Sequence, residues 1–218
     1  MAPLRSALLD SVPHGFSTRD GLEANDILPG APLLLAKQVH SPDVATVAEA
    51  WDHPPEADAL VTATPGLLIG VVTADCAPVL LSDDTAGVVG AAHAGWRGAH
   101  GGVIANTVAA MVALGAAPGN IRAAIGPTIA QESYEVDAAF REQFDASDAR
   151  FFAPGRAGHW QFDLPAYVAR QLEQAGIGRV HDLARDTYAD ADRFHSYRRA
   201  THRGVATQGR QTSVIGLP

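Results

Sequence analysis

The chain has 218 residues, a length that suits one domain with a substantial hydrophobic core or at most two small domains. Apolar residues make up 47% of the chain and charged residues 18%, a composition that excludes a disordered or fibrous protein. The formal net charge is −8 and the longest basic run is the pair Arg198–Arg199, so nothing in the sequence favours nucleic acid as a partner.

Cysteine usage and the lengths of apolar runs bear on the cellular compartment. Cys76 is the only cysteine, so no internal disulfide can form and the chain carries no sign of an oxidising environment. The first residues lack an apolar core long enough for a secretion signal. The longest mostly apolar stretch, residues 57–81, is interrupted by aspartate and proline, which argues against a membrane span. We therefore predict a cytoplasmic protein, monomeric or homodimeric, without a membrane partner.

Short strands dominate the first part of the chain. Residues 1–30 are predicted to be loop with one strand near Phe16, because proline and glycine recur every few residues. Six runs rich in Val, Leu and Ile then follow, each bounded by Pro, Gly, Asp or Ser. These predicted strands are residues 33–39, 43–47, 57–62, 67–75, 77–83 and 86–94. Several are apolar at successive positions, which indicates strands buried on both faces of a sheet.

Helices and strands alternate in the second part of the chain. Helices are predicted over residues 101–115, 137–144 and 163–176, and strands over residues 121–127, 178–183 and 211–217. The helix at 163–176 has the clearest limits, because Asp163 can cap its start and Gly176 can end it. Residues 184–210 read as irregular and polar. We predict one α/β domain over residues 1–218, with strands of mixed order.

Three side chains with metal-binding potential lie at or near the ends of predicted strands. Cys76 stands between two apolar runs, while His40 and His93 end or interrupt runs of the β type. Strand ends are where side chains leave the core and converge on a cleft. Two imidazoles and one thiolate, with a fourth position free for water, form a typical catalytic zinc site. The three residues are therefore candidate ligands of a zinc ion.

Other interpretations of these residues stay open on residue types alone. Separations of 36 and 17 residues match no local zinc-finger spacing, so Cys76 could be an inert buried thiol and His93 a hydrogen-bonded core histidine. Cys76 could also be the nucleophile of a hydrolase or amidase with His93 as its base. Alkylation separates these chemistries, because a metal-bound thiolate resists it until a chelator is added. A binding module with a structural metal is a third possibility.

Charged and glycine residues around this cysteine favour a functional site. A carboxylate at Asp75, within an apolar stretch, is unfavourable unless it is paired, so Asp75 could orient a histidine ligand or cap a turn. Gly95 and Gly98 allow the backbone to approach a ligand closely. Between them, Arg97 offers a donor fork suited to phosphate or carboxylate, with a structural salt bridge as the alternative.

Six segments form a series that can be compared with known families. In chain order they are KQVH, ADALVT, TADCAPVLL, AAHAGWRG, IGPTIAQESYEV and FHSYRR. Together they resemble the laccase-domain family, also called the multicopper polyphenol oxidoreductase family, whose members are described as purine nucleoside phosphorylases. The resemblance runs from about residue 14 to the C-terminus, and TADC together with HAGWRG is highly specific.

The resemblance implies a fold, a metal site and an activity. The fold is a single α/β domain with mixed sheets in α/β/β/α layers. The metal ligands are the histidine of QVH, the cysteine of ADC and the histidine of HAGWRG, which correspond to His40, Cys76 and His93. The activity is phosphorolysis of adenosine, inosine, guanosine and methylthioadenosine, with deamination of adenosine. An arginine in a TR motif is functional in relatives and corresponds to Arg19.

Two departures from the family pattern concern the pocket. The segment between Arg19 and His40 is shorter than in many relatives, so we expect a more open pocket and a different substrate preference. The chain also has Asp186–Thr187 where many relatives have Cys-Thr. A mechanism that requires a second thiol is therefore not supported, whereas the three-ligand site is unaffected.

The residues fit a single metal ion better than the copper centres of a laccase. Electron transfer from phenols to dioxygen requires a His₂Cys copper with a weak axial ligand and a further centre rich in paired histidines. The chain has no His-X-His sequence, and its only methionines are Met1 and Met111. The resemblance points to zinc, although copper binds nitrogen and sulfur ligands more tightly and could give weak polyphenol oxidase activity in vitro.

We therefore predict a zinc-dependent purine nucleoside phosphorylase that takes a purine nucleoside and phosphate. Phosphate must be held beside the ribose C1′ atom, and Arg97 and Arg19 are the candidates for this role, with Arg198 behind them. Asp75 and Glu135 are the carboxylates considered for proton transfer. A cysteine hydrolase and a copper-dependent polyphenol oxidase remain as alternatives.

Overall fold

A computed structural model describes residues 1–207 and 209–218 of the protein. These residues contain thirteen strands, which form three sheets, and six α-helices. The strands are β1 (His14–Phe16), β2 (Leu33–Leu35), β3 (Val44–Thr46), β4 (Ala59–Thr62), β5 (Leu68–Thr73), β6 (Ala77–Asp83), β7 (Val88–Ala94), β8 (Arg122–Ile125), β9 (Glu135–Asp137), β10 (Phe152–Pro154), β11 (His159–Phe162), β12 (Arg179–Asp182) and β13 (Gln211–Gly216). The helices are α1 (Ala24–Ile27), α2 (Trp96–Gly101), α3 (Val103–Ala113), α4 (Ala138–Arg141), α5 (Leu164–Gln174) and α6 (Tyr197–His202).

The largest sheet has six strands in the order β12-β8-β6-β7-β4-β3. Its central strands β8, β6, β7 and β4 pair in antiparallel fashion, while the edge strands β12 and β3 pair in parallel with their neighbours. Because β7 runs opposite to both β4 and β6, the starts of β4 and β6 lie beside the end of β7. A four-stranded sheet has the order β1-β13-β5-β2, and a three-stranded sheet has the order β10-β11-β9.

Successive side chains of the six-stranded sheet pack on its two opposite faces. Val79 and Leu81 of β6 join a core with α3 and α5, whereas Leu80 between them joins a second core with the four-stranded sheet. This is the period of two that an extended strand imposes. Every residue of β4, β6 and β7 is buried. The prediction of strands buried on both faces is therefore confirmed.

The layers of the fold follow from these cores. Helices α3 and α5 cover one face of the six-stranded sheet, and the four-stranded sheet covers the other. The single-turn helix α1 lies on the far side of the four-stranded sheet, where Ile27 packs with Leu68 and Val214. The result is an α/β/β/α arrangement with mixed sheets, which confirms the predicted fold class.

The predictions for α5 and for a helix over residues 101–115 are both confirmed, the second by α3, whose ends lie within two residues of the predicted ones. At the start of α5 the Asp163 carboxylate accepts a hydrogen bond from the Ala166 amide, and Gly176, with φ of +90°, follows its end. The start of α3 is set by Gly102, which separates it from the preceding helix α2 with φ of +99°. Glycine adopts this conformation readily because it has no Cβ atom.

Several short elements have too little sequence signal to be predicted. Helix α2 begins at Trp96, between the predicted strand 86–94 and the predicted helix 101–115. Helix α6 lies within the stretch 184–210, which the sequence suggests is irregular. The predicted helix at 137–144 is only the single turn α4. The three-stranded sheet is missing from the prediction, since its strands have three or four residues and depend on distant aromatic contacts such as Phe140 with Phe162.

The apolar stretch 57–81 forms sheet rather than helix. It contains β4, β5 and the first part of β6. Within residues 1–207 and 209–218, no helix combines the length and the apolar composition that crossing a bilayer requires. Asp58, Pro65 and Asp75 therefore lie at or between the ends of strands, while Pro78 is the second residue of β6.

His14 of β1 is fully buried and is held in one neutral form. Its Nε2 atom accepts a hydrogen bond from the Ser6 amide at 2.9 Å, and its Nδ1–H donates to the Val12 carbonyl at 3.0 Å. Burial lowers the pKa of His14 below its ordinary value of 6.5. As the pH falls, the unfolded chain therefore binds a proton before the folded protein does.

We expect the free energy of unfolding to decrease as the pH falls below the ordinary histidine pKa, by at most about 1.4 kcal/mol per pH unit from this one group. The decrease ends below the lower pKa of the folded state, because both states are then protonated. Urea unfolding of the wild type and of His14→Gln at several pH values between about 7.5 and 5 measures the effect. The variant should show a weaker pH dependence, and equal slopes in both proteins would contradict the assignment to His14.

Candidate metal centre

His40, Cys76 and His93 lie together at one edge of the six-stranded sheet. Cys76 immediately precedes β6 and His93 is the penultimate residue of β7. The antiparallel pairing of Ala77 with Ala94 places the start of β6 against the end of β7 and so brings the thiol and the imidazole side by side. His40 reaches them from the loop between β2 and β3.

The three side chains are spaced like ligands of one ion. The Cys76 Sγ and His40 Nε2 atoms are 3.8 Å apart, and one ligand atom from each of the three residues lies within 4.8 Å of the other two. The rings of His40 and His93 meet edge to face, with 4.7 Å between their centroids. A tetrahedral zinc ion with bonds of about 2.0–2.3 Å needs ligand atoms roughly 3.3–3.7 Å apart. A small contraction of the cluster therefore suffices to bind one.

Gly95 leaves the space in which two of these side chains meet. A Cβ atom at this position would lie 2.9 Å from Cys76 Sγ and 2.9 Å from His40 Cδ2, closer than real Cβ atoms come to their neighbours. At Gly98 a Cβ atom would lie 3.1 Å from the Ser41 carbonyl oxygen, a tighter contact than most. The close approach that the sequence suggests for these glycines is therefore present in the fold.

Two backbone positions of the site have left-handed torsion angles, which are rare in residues other than glycine. The φ angle is +62° at His40 and +84° at Asp75, the residue before Cys76. Such conformations cost about 1–3 kcal/mol each and persist where the surrounding contacts hold them. At both positions, hydrogen bonds from distant parts of the chain supply those contacts.

Asp58, directly before β4, holds both histidines of the cluster. Its side chain is fully buried. The Oδ1 atom accepts the His40 amide at 3.0 Å and the Nδ1–H of His93 at 2.7 Å. The Oδ2 atom accepts the amides of Val39 and Ser41 at 3.1 and 2.6 Å, and the Ser41 hydroxyl at 3.1 Å. Since Nδ1 of His93 is engaged, Nε2 is the nitrogen left for a metal.

The charges of these groups depend on one another. Burial opposes ionisation of Cys76, but hydrogen bonds and charges of His40 and His93 lower the pKa of its thiol to about 7. Burial also opposes a charged His93, but Asp58 and Cys76 raise the pKa of this imidazole to about 9. Despite its burial, Asp58 has its pKa lowered to about 2 by His93 and by backbone N–H groups. The thiolate, which is the form that binds metals, is thus accessible near neutral pH.

A cavity of about 650 Å³ is lined by the three candidate ligands. This is within the range of pockets that bind small molecules. Its wall includes the apolar side chains of Val72, Ile129 and Leu164. Tyr134 also lines the cavity, and burial raises the pKa of its hydroxyl, which therefore stays protonated and can donate a hydrogen bond.

Arg97 adds a positive charge to the wall of this cavity. Its guanidinium carbon lies 4.5 Å from the centroid of the Trp96 ring, which packs on Phe140 at 4.7 Å. Arg97 forms no ion pair with another residue of the described ranges 1–207 and 209–218, so the salt bridge considered as an alternative is not present there. The aromatic contact positions the charge and leaves its N–H groups for a ligand.

Asp75 contacts a helix rather than a histidine. Its Oδ1 atom accepts the Thr187 hydroxyl at 2.7 Å, and its Oδ2 atom accepts the Ser196 hydroxyl at 3.0 Å and the Arg198 amide at 2.6 Å. Of the two roles considered for Asp75, the contacts show the acceptor at a capped turn, and Asp58 rather than Asp75 orients His93. The N-cap of α6 is Ser196, and Asp75 accepts both the Ser196 hydroxyl and a first-turn amide of this helix. Asp75 therefore ties the loop before β6 to α6.

The remaining charged candidates lie at different places. Arg19 lines a second cavity of about 350 Å³ and donates to the Ala191 carbonyl at 2.9 Å, and it is not among the described residues around the first cavity. Arg198 lines the first cavity and donates to the Glu135 carbonyl at 2.6 Å. The Glu135 carboxylate forms an ion pair with Arg156 at the surface. Of Arg19, Arg97 and Arg198, Arg97 is therefore the one that the geometry favours for contact with a ligand. Arg210 also lines the first cavity and was not among the candidates.

Asp58, Tyr134 and Arg210 are among the site residues that sequence reasoning missed. In the sequence, Asp58 is noted only as an interruption of an apolar stretch. Like Asp75, however, it is an acidic residue beside a buried strand, which by itself indicates a carboxylate with a partner. Tyr134 lies between short elements, where no periodic pattern marks it.

The fold and this cluster together define a class, which is a mixed α/β protein with a candidate His₂Cys metal centre beside a cavity. Residues 17–218 match the family described as multi-copper polyphenol oxidoreductase laccase, and the chain belongs to this family. The resemblance based on the KQVH, TADC and HAGWRG segments is thereby confirmed.

Relatives with names and a solved structure extend the comparison. A Rickettsia prowazekii protein named purine nucleoside phosphorylase is 38% identical over 187 residues, which are 84% of this chain and 77% of that protein. A Deinococcus radiodurans protein of the same name is 47% identical over 164 residues, which are 75% of this chain and 62% of that protein. The crystal structure of the Bacillus licheniformis hypothetical protein YfiH matches with a TM-score of 0.84 at 27% identity and covers 96% of this chain and 94% of that one.

Proposed function

We propose that this protein is a zinc-dependent purine nucleoside phosphorylase, which converts a purine nucleoside and phosphate into the free base and ribose 1-phosphate. The observation that carries the proposal is the meeting of His40, Cys76 and His93 at a cavity whose wall also includes the Arg97 guanidinium. Relatives named purine nucleoside phosphorylase support the same chemistry. The proposed substrates are adenosine, inosine, guanosine and methylthioadenosine.

The residues of the cluster fit the proposed metal. Zinc would be held by Nε2 of His40, Sγ of Cys76 and Nε2 of His93, a donor set that zinc prefers and that leaves a fourth position for a ligand. Copper also binds nitrogen and sulfur, so metal analysis of protein purified without added metal distinguishes the two ions. When bound, zinc acts as a Lewis acid that polarises an oxygen or nitrogen atom of the substrate.

Phosphorolysis exchanges two bonds at the ribose C1′ atom. A phosphate oxygen forms a bond to C1′ while the bond from C1′ to the purine nitrogen breaks, and the purine leaves with the electron pair and takes up a proton. The Arg97 donor fork suits the phosphate. The apolar wall at Val72, Ile129 and Leu164 suits the faces of a purine ring, and the protonated Tyr134 hydroxyl can donate to one of its nitrogens.

In this proposal Asp75 positions other residues of the cavity wall, and Arg198 contributes a positive charge to that wall. Asp75 holds the start of α6, and this helix brings Tyr197 and Arg198 to the cavity. Arg198 adds positive charge on the same wall as the proposed phosphate ligand. Arg19 stays a second candidate for phosphate binding, because the other cavity also contains several arginines.

We also propose a side activity in the same cavity, the hydrolytic deamination of adenosine. Water adds to the ring carbon that bears the amino group and ammonia leaves, so the product is inosine. Unrelated zinc deaminases carry out this type of reaction beside a metal ion. Deamination needs no phosphate, and the two activities therefore separate when phosphate is omitted.

A cysteine hydrolase or amidase is the second candidate function. The observation in its favour is the Cys76 thiol, whose pKa is about 7 and which His93, the base considered for this chemistry, and His40 both contact. The Nε2 atom of His40 lies 3.8 Å from the sulfur. A thiol beside an imidazole is the arrangement of a nucleophile and its base. The two functions differ in the reactivity of Cys76 in the metal-loaded protein, which alkylation measures.

Incubation of the zinc-loaded protein with inosine and phosphate is expected to yield hypoxanthine and ribose 1-phosphate in equal amounts. Omission of phosphate should stop the formation of both products, because phosphate is the attacking group. Chromatography of the base and the sugar phosphate from one reaction measures both. Free ribose in place of ribose 1-phosphate would indicate hydrolysis, and the absence of product from all the proposed nucleosides would refute the phosphorylase.

A further inference from the structure

We infer that Asp58 is the positioning residue of the metal centre, because its one carboxylate sets the ligand nitrogen of His93 and the place of His40. The inference rests on the proposed metal site and deepens it. The Asp58 side chain is 0% exposed, and the protein groups that donate to it belong to His93 and to residues 39–41. A carboxylate so buried is retained only if its partners compensate for lost hydration.

The contact with His93 selects one form of the imidazole. A neutral histidine that binds a metal through Nε2 must carry its proton on Nδ1. The Oδ1 atom of Asp58 lies 2.7 Å from that nitrogen and accepts this proton's hydrogen bond. A carboxylate cannot donate a hydrogen bond, so a His93 tautomer with its proton on Nε2 would lose the hydrogen bond to Asp58. The buried negative charge of Asp58 would then lack His93 as a donor. Asp58 therefore keeps Nε2 of His93 available to the metal.

The contacts with residues 39–41 hold the second histidine. Three successive amides, from Val39, His40 and Ser41, point at the carboxylate at 3.1, 3.0 and 2.6 Å. Convergent backbone N–H groups of this kind form a concave anion site, which here surrounds the protein's own carboxylate. The anion thus stabilises the turn in which His40 has φ of +62°, and this turn carries the imidazole to Cys76.

Two ligands from distant parts of the chain thus depend on one side chain. Partners of a metal ligand typically change metal affinity by about 10–100-fold when they are removed. Since Asp58 serves two of the three proposed ligands, we expect an effect of about 100-fold. His40 and His93 are separated by more than fifty residues in the chain, and the position of β4 beside β7 is what brings Asp58 between them.

Asp58→Asn tests the inference with little change of volume. The amide replaces one acceptor oxygen with an NH₂ group, which must face either His93 or the amides of Val39 and Ser41. We expect Zn²⁺ and Co²⁺ to bind to the metal-free variant about 100-fold more weakly than to the wild type. Titration gives the dissociation constants, and the visible spectrum of bound Co²⁺ reports whether thiolate and imidazole remain coordinated.

Asp83→Asn is the matched control. Asp83 is also buried and accepts the amides of Thr85, Ala86 and Ala117, but it lies at the other end of β6. Both variants should unfold at a lower temperature than the wild type, whereas only Asp58→Asn should lose metal affinity. Equal metal affinity in the two variants would assign Asp58 a structural role alone and would overturn the inference.

The wild-type protein supplies a second test should Asp58→Asn fail to fold. In zinc-loaded protein with ¹⁵N-labelled histidine, NMR is expected to show the His93 proton on Nδ1. A proton on Nε2 would overturn the inference while leaving the phosphorylase open to its own assay. Failure of the wild type to bind Zn²⁺ or Co²⁺ through Cys76 would overturn the proposed metal site together with this inference.

Discussion

Cys76→Ala is expected to abolish tight zinc binding and to lower kcat for inosine phosphorolysis by about 10³-fold or more. The thiolate is one of three proposed protein ligands of the metal. A Lewis-acid metal stabilises the charge of a transition state by several kcal/mol, and each 1.4 kcal/mol changes the rate about tenfold. Metal content and initial rates measured on the same preparations check this result. Unfolding of the metal-free proteins is the control, and the variant should unfold close to the wild type because alanine preserves most of the packing of this half-buried residue.

Alkylation of the same residue separates the phosphorylase from the hydrolase. Cys76 is the only thiol of the chain, so the extent of labelling by iodoacetamide reports on this residue alone. A metal-bound thiolate should react slowly and become reactive when a chelator is added. Rapid labelling of the zinc-loaded protein without chelator would favour a nucleophile, and full phosphorolysis by Cys76→Ala would contradict the proposed function.

Arg97→Ala is expected to raise the KM for phosphate by about 10- to 150-fold while metal content stays unchanged. Each hydrogen bond to a charged group contributes about 1.5–3 kcal/mol to binding, and the variant would lose the paired N–H donors that the guanidinium offers to phosphate. Arg97→Lys should fall between the wild type and Arg97→Ala, because lysine keeps the charge without the fork. Initial rates at varied phosphate and saturating inosine give the KM values.

Arg179→Ala is the matched control for this effect of charge. Arg179 is an exposed residue of the edge strand β12, and its removal should leave the KM for phosphate unchanged. Arg19→Ala should be measured in parallel, since Arg19 lines the other cavity. A larger rise in the KM for phosphate in Arg19→Ala than in Arg97→Ala would place phosphate in that second cavity and contradict the role of Arg97.

Much of the fold is predictable from local pattern. The runs at 57–62, 77–83 and 86–94 contain β4, β6 and β7, since an uninterrupted apolar strand is stable only between two packed layers. Helix α5 is predictable because its cap, its apolar stripe and its terminal glycine are all local features. Short elements such as α6 escape prediction, because six residues carry little periodicity. The local cap Ser196 is a weak signal by itself, and a further acceptor at the start of α6 is Asp75, more than a hundred residues earlier.

The sequence by itself determined which chemical groups the candidate centre contains, since the residue types and the TADC and HAGWRG segments mark His40, Cys76 and His93. Only the tertiary structure decided which carboxylate serves them, because Asp58 and Asp75 are alike in sequence context and differ in which strand or helix lies beside them. Strand register and the packing of loops set those neighbours, and both arise from contacts between residues far apart in the chain.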